Sequence, residues 1–396
     1  MTRLPPHARA LLDLLSGRAV RLDGPQWRSL LEFADRTQCT LFLRGTPALP
    51  DWFAEEIESR LARNVQRRQR LLAAYRETSG ALLSRGIEFV LLKSFTHENG
   101  FGIDGIQRVQ YDLDFLLPSS DLPAAKAALL EIGYAPHGTS DLSALHGRPL
   151  IKPGGGPWRG DYYDPDLPIP VELHTALWHT ESDRVAAPGV ESFWERRTTI
   201  DACGRTIPAL AEPDRVAFAA LHLLRHILHN NVRLSHAFEL ARLLKTRADL
   251  SVCDDPRLRT LQAIAFRFAA LWFACPLPDA VERHWKQIDP GIHSWFDRFA
   301  FSPVVTLLEP NKDIVWLHAA LVPGWRDRLA VLTKRLLPLH APDRSEAAGS
   351  SYRSHVLRRA LHHGRALAST LWNGARWRWA ASSTASDTSD WKRPNV

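Results

Sequence analysis

The chain has 396 residues, of which 45% are hydrophobic and 23% charged. That balance excludes a disordered chain, and at roughly 150 residues per unit the length suggests two or three domains. Lysine and arginine (50) outnumber aspartate and glutamate (43), giving a net charge of +7. The excess is diffuse and carries no recognition motif, so no sequence-specific nucleic-acid binding is expected. Cys39, Cys203, Cys253 and Cys275 lie far apart with no C-x-x-C pair, which excludes a thiolate zinc module and argues against a disulfide scaffold. A reducing cytoplasm fits that usage. No run approaches 18 apolar residues, and the N-terminal stretch lacks the continuous apolar core and cleavage site of a signal peptide.

Residues 7–35 read as interrupted helix, with apolar residues recurring every three or four positions. Residues 51–85 form the longest helical pattern: Ile57, Leu61, Val65, Leu71, Leu72, Tyr75 and Leu82 share a stripe. Gly86 ends it, and 87–92 is a short apolar run of strand character. A glycine-rich loop follows over 95–110, then a second strand, Tyr111–Leu117, ended by Pro118. A helix over 122–132 stops at Gly133. Residues 138–166, including Gly154-Gly155-Gly156, read as loops around a hairpin, and 169–175 as a third strand.

From Glu212-Pro213-Asp214 onward the pattern is helical: to His229, then 234–245, 256–274, 280–299 and 313–337, the last broken at Pro323-Gly324. Residues 347–351 resemble a linker, 352–380 a basic, tryptophan-rich helix, and 382–396 a polar tail. The expected organisation is an α+β chain with four parts. These are a helical region (1–79), a mixed sheet flanked by helices (80–208), a helical domain (209–345) and the basic segment with its tail (346–396). The segment 352–380 could touch an anionic membrane surface, nucleic acid or a protein.

Three stretches carry candidate chemistry. In Tyr111-Asp112-Leu113-Asp114-Phe115 the two aspartates share one face of a strand, about 6.6 Å apart. Like charges so placed need a cation between them, and oxygen ligands suit Mg²⁺. In Leu91-Leu92-Lys93-Ser94 a buried strand ends in a cation and a hydroxyl, a corner able to grip phosphate. It is not a P-loop, because the glycine spacing is absent. In Val171-Glu172-Leu173-His174, Glu172 and His174 share a face, and Glu172 could be a third metal ligand or a general base. Asp161, Asp164 and Asp166, in a proline-rich loop, are fallbacks for that third carboxylate. His222, His226 and His229 fall near one helix face. They could bind zinc, though helix packing or contact with the sheet is the preferred reading.

Taken together, the stretches resemble the bacterial uncharacterised nucleotidyltransferase family of the polymerase-β-type superfamily. Gly86-Ile87-Glu88-Phe89-Val90-Leu91-Leu92-Lys93 is similar to its G-I-x-x-x-L-L-K-G strand. Arg108, four residues before Asp112, matches its R-x-x-x-D-[IL]-D-[LF]-L run; Gly133-Tyr134 follows, and Val171-Glu172-Leu173-His174 matches its [VI]-[DE]-L-H strand. The resemblance extends through the helices to about residue 340. Ser94 and Tyr111 stand where the family tends to have glycine.

The resemblance implies Mg²⁺-dependent transfer of a nucleoside monophosphate from an NTP co-substrate to an acceptor hydroxyl, on a small molecule or a protein. Asp112, Asp114 and Glu172 would hold two metal ions and carry the catalysis. Lys93 and Arg108 would offset phosphate charge, Ser94 would position the triphosphate, and Tyr111 and His174 would line the nucleotide site. The alternative is a non-catalytic, nucleotide-binding or accessory protein of the same fold.

Overall fold

The computed structural model describes residues 4–336, except 99, 138–146, 155–159, 248–249 and 251–252, together with isolated positions between 361 and 372. The expected linker, most of the basic segment 352–380, the tail, and Gly155-Gly156 therefore lie outside the described residues.

Helices α1 (Pro6–Leu15), α2 (Gly24–Arg36) and the 33-residue α3 (Asp51–Leu83) open the chain. The start of α2 is fixed by a reciprocal cap: the Asp23 carboxylate accepts from the Gln26 amide (2.8 Å), and the Gln26 side chain accepts from the Asp23 amide (3.1 Å). The strands and helices that follow are β1 (Val90–Leu92), β2 (Leu113–Leu116), α4 (Leu122–Glu131), β3 (Ala135–Pro136), β4 (Leu150–Ile151) and β5 (Val171–His174). They form one five-stranded mixed sheet in the order β1-β2-β5-β4-β3. β2 runs parallel to β5, and the other neighbours are antiparallel.

The ladders are shorter than the apolar runs that mark them. β1 pairs only from Val90, opposite Leu116, although Ile87 and Phe89 are also buried. Side-chain alternation splits each strand between two apolar clusters. Val90, Leu92 and Leu116 join one cluster, while Leu91, Leu113, Phe115 and Leu117 join another built with α4 and the second half of α3.

A single turn of helix, α5 (Thr180–Asp183), precedes a hairpin, β6 (Thr198–Ala202) and β7 (Arg205–Ala209), that the sequence reading did not anticipate. Its turn residues Cys203 and Gly204 both have positive φ (53° and 67°), which suits the twist of a two-residue hairpin. β7 packs against β1.

Helices α6 (Glu212–Leu228), α7 (Leu234–Thr246) and α8 (Pro256–Phe273) then pack on one another. The single helix expected over 280–299 is two, α9 (Asp279–Trp285) and α10 (Pro290–Phe299). Pro290 cannot continue a helix but suits a first turn, and the Asp289 carboxylate caps it through the Gly291 amide (2.7 Å). Short α11 (Ser302–Thr306), α12 (Ile314–Leu321) and α13 (Trp325–Leu336) complete the described fold. Leu11, Trp27 and Phe53 from the N-terminal helices share one core with Leu224, Phe266 and Phe268 from the later ones. Among the described residues, no helix is long and apolar enough to cross a membrane.

Candidate active site

The site begins with α3. Arg67 is fully buried and, among the described residues, faces no carboxylate at hydrogen-bond distance; its guanidinium donates to four main-chain carbonyls. Two, Gln110 (2.8 Å) and Tyr111 (2.9 Å), lead into β2; the others, Leu167 (3.0 Å) and Pro168 (3.4 Å), lie just before β5. Asn64, one turn earlier, donates to the carbonyls of Ile106 (2.7 Å) and Arg108 (3.2 Å). These donors satisfy buried loop carbonyls and fix where both strands begin.

The strand register does the rest. Asp114 of β2 stands opposite Glu172 of β5, and Leu116 opposite His174. His174 Nε2 lies 2.9 Å from Asp114 Oδ1 and 3.4 Å from Glu172 Oε2. Asp112 falls one residue before the β2 ladder, and its main-chain oxygen accepts from Gln110 Nε2 at 3.0 Å.

At the end of β1 the chain turns sharply. Lys93 (φ 50°) and Ser94 (φ 56°) both occupy the positive-φ region, which costs a non-glycine residue of order 1–3 kcal/mol. Lys93 Nζ lies 2.9 Å from Asp114 Oδ2 and donates to His222 Nε2 of α6 at 3.1 Å. The Ser94 hydroxyl oxygen accepts from Gln110 Nε2.

Lys93, Ser94, Asp112, Glu172 and His174 line one wall of a cavity of about 290 Å³. The facing wall comes from the helices: His222, Arg225 and His226 of α6, and Arg233 and His236 at the start of α7. Asp114 is set behind the wall, 1% exposed, under Lys93 and His174. Tyr111 borders the cavity, with its hydroxyl donating to the Tyr162 carbonyl (2.8 Å) and its ring under the Arg67 guanidinium. Arg108 also borders it, but its Nε is committed to the buried Glu239 (2.9 Å), which takes His97 Nδ1 on its other oxygen (2.9 Å).

Electrostatics divides the two aspartates. Burial and the charges of Asp114 and Glu172 oppose ionisation of Asp112 and push its carboxyl up. Burial would push Asp114 up as well, but the Lys93 ammonium and the His174 contact outweigh it and hold that carboxyl below its ordinary value. Lys93 and His174 are raised in turn, since their carboxylate partners outweigh burial. Across the cavity, burial and neighbouring cations press His222 and His236 well below the imidazole range and His226 to about 3.

Asp114, Glu172 and His174 offer ligand atoms within 4.8 Å of one another and could hold a metal ion. Asp112 adds a further carboxylate whose ionisation the local negative charge already opposes. Such an oxygen-rich, charge-crowded set fits a hard divalent cation such as Mg²⁺.

Not every expected residue enters the cavity. Asp161 pairs with Arg63 and Asp166 with Arg70 on α3, and the Asp164 carboxylate accepts from the Asp166 amide (2.8 Å). His229 leaves the histidine group to pair with buried Asp183 (2.7 Å), and His236 from the next helix takes its place. Arg67, Gln110, Arg225 and His236 were not singled out from sequence. A lone arginine in an arginine-rich helix, or a histidine one helix on, carries no local signal of what it will face.

The fold and cavity are those of an α+β protein that brings carboxylates, a lysine and a hydroxyl together at the ends of neighbouring strands. The chain belongs to the uncharacterised nucleotidyltransferase family, whose profile matches residues 23–275; nucleotidyl transfer is the general role of that family. Among solved structures, it is similar to an antigenic nucleotidyltransferase-like protein from Paracoccidioides brasiliensis. That likeness has 12% identity and a TM-score of 0.32, and covers 52% of this chain and 94% of the other. No curated protein matches the chain.

Proposed function

We propose that the protein transfers a nucleoside monophosphate from an NTP to an acceptor hydroxyl, on a small molecule or natural-product precursor or on a protein. The observation that supports this most directly is the pairing of Asp114 with Glu172 in register, with Asp112 and Lys93-Ser94 at the same cavity. Asp112, Asp114 and Glu172 are the residues that would hold Mg²⁺, two ions in this reading, which when bound would offset phosphate charge and favour an ionised acceptor oxygen. Lys93 carries a positive charge beside Asp114 and counters the triphosphate once it lets go of His222. The Ser94 oxygen, already an acceptor from Gln110, keeps its own O–H for a phosphate oxygen. Glu172 is the carboxylate placed to take the acceptor's proton, while Arg225 and Arg233 line the wall that would face the phosphates. Catalysis here rests on positioning and charge.

One observation favours a second reading, a nucleotide-binding protein without turnover. Asp114 is almost wholly enclosed by Lys93 and His174. Thermal stability with ATP, GTP, CTP and UTP, each with and without Mg²⁺, tests both. A nucleotide at 100 times its Kd stabilises by about 2.7 kcal/mol, a shift of a few degrees. A Mg²⁺-dependent shift lost in Asp112→Asn/Asp114→Asn supports the transferase. A shift that needs neither Mg²⁺ nor the carboxylates supports binding alone. No shift with any triphosphate overturns both.

A further inference from the structure

The cavity wall opposite the carboxylates holds a second group of ligand atoms. Ring nitrogens of His222, His226 and His236 lie within 4.8 Å of one another. None of them belongs to the strand residues, and nothing in the transfer reaction requires them.

Hydrogen bonding fixes which nitrogens are bare. His226 Nδ1 lies 2.9 Å from the carbonyl oxygen of Asn231, which can only accept. The proton is therefore on Nδ1, and Nε2 of the neutral ring is a lone pair. His222 Nε2 accepts a hydrogen bond from the Lys93 ammonium, so its lone pair is on Nε2 and its ring proton on Nδ1. These two acceptors face each other at 3.2 Å. His236 Nδ1 is buried and has no hydrogen-bond partner among the described residues. Three half-buried imidazoles thus crowd together, and His222 and His226 meet with no proton between their facing nitrogens.

A cation resolves that arrangement. Zinc sits about 2.0–2.1 Å from each histidine nitrogen, and at tetrahedral angles two such nitrogens are about 3.4 Å apart. The His222–His226 separation is close to that edge. The His226 ring is also oriented as metal-bound histidines commonly are, with its far N–H on a main-chain carbonyl. The spacing of four residues on α6 puts His222 and His226 on one face.

We infer that His222, His226 and His236 form a transition-metal site, best suited to Zn²⁺, distinct from the carboxylate group. Three protein ligands leave a fourth position, and all three rings border the cavity, so water or an anionic oxygen takes that place. On loading, His222 turns its lone pair to the ion and Lys93 keeps its bond to Asp114.

The test uses the full chain, stripped with EDTA and titrated with Zn²⁺ by calorimetry and with Co²⁺ by visible absorption. Wild type and Asp112→Asn/Glu172→Gln should each bind one Zn²⁺ per chain, and Co²⁺ should give the strong visible bands of a tetrahedral nitrogen site. His226→Gln and His236→Gln should weaken Zn²⁺ by about tenfold or more. Circular dichroism checks that these variants fold; where one does not, the Co²⁺ spectrum of the carboxylate variant decides alone. The inference is overturned if wild type binds no Zn²⁺. It is equally overturned if binding disappears with the carboxylates, or if folded histidine variants bind Zn²⁺ as wild type does.

Discussion

Lys93 Nζ and Asp114 Oδ2 form an ion pair of 2.9 Å whose side chains are only 14% and 1% exposed. Removing one member of such a pair strands the other charge away from water. Lys93→Met should therefore cost about 3–5 kcal/mol in urea denaturation. The double variant Lys93→Met/Asp114→Asn should recover most of that loss, because it removes the stranded carboxylate. A single-variant cost below about 1 kcal/mol, the range of surface pairs, would show that Asp114 is well solvated.

Acid should weaken the metal-free protein through its histidines. His222, His226 and His236 titrate below the unfolded value near 6.5, His226 at about 3. As pH falls below about 6.5, the unfolded chain takes up protons that the folded chain refuses, and stability is lost until the folded rings titrate. Each ring contributes up to about 1.4 kcal/mol per pH unit. His174 has the opposite sign: its folded value is raised, so its contribution is complete below the unfolded value near 6.5 and is lost as pH rises from there through the raised folded value. Asp114, held low, adds a loss only below about pH 4. Urea midpoints in EDTA between pH 6 and 4.5 should slope downward with acid, and His226→Asn should flatten the slope by about one proton. An unchanged slope in that variant would mean that His226 titrates normally.

Arg108 is tied to Glu239, so its first effect should be on stability. Glu239→Gln leaves the buried guanidinium without its counter-charge and should cost about 3–5 kcal/mol. Arg108→Lys cannot reproduce the guanidinium geometry and should also lower the denaturation midpoint. Both variants, once folded, should keep most of the Mg²⁺-nucleotide thermal shift. If Arg108→Lys instead kept the midpoint and lost that shift, Arg108 would be acting on phosphate.

Much of the carboxylate site was legible because strand alternation is a short-range rule. Asp112 and Asp114 needed only the apolar residues that alternate with them, Leu113 and Phe115, and Glu172 and His174 only their own strand. Which strands become neighbours was not legible from that rule: Asp114 meets Glu172 through a parallel pairing across more than fifty residues. The histidine group shows the same limit. His222 and His226 were visible as a helix spacing, but His236 joins them only after the chain turns into α7. The β6–β7 hairpin was missed because Thr198, Asp201 and Thr206 dilute its apolar pattern, leaving the Cys203-Gly204 turn as its chief mark.

Arg67 provides the sharpest test of how the site is held. Its guanidinium spans the lead-ins to β2 and β5, so it sets the approach of Asp112 toward Glu172 without touching either. Burial keeps its pKa below the ordinary value, and five N–H donors in a fixed plane are what four converging carbonyls require. Arg67→Lys retains the charge but offers three donors from one point. At about 1–3 kcal/mol for each buried carbonyl left unpaired, it should cost at least about 2 kcal/mol. Arg70→Ala, on the same helix but in an exposed pair with Asp166, should cost less than about 1 kcal/mol. The folded Arg67→Lys protein should also lose most of its Mg²⁺-dependent nucleotide shift, whereas Arg70→Ala should keep it. Equal midpoints for the two variants would mean that other contacts hold the strand ends, and that the register of Asp114 and Glu172 does not depend on α3.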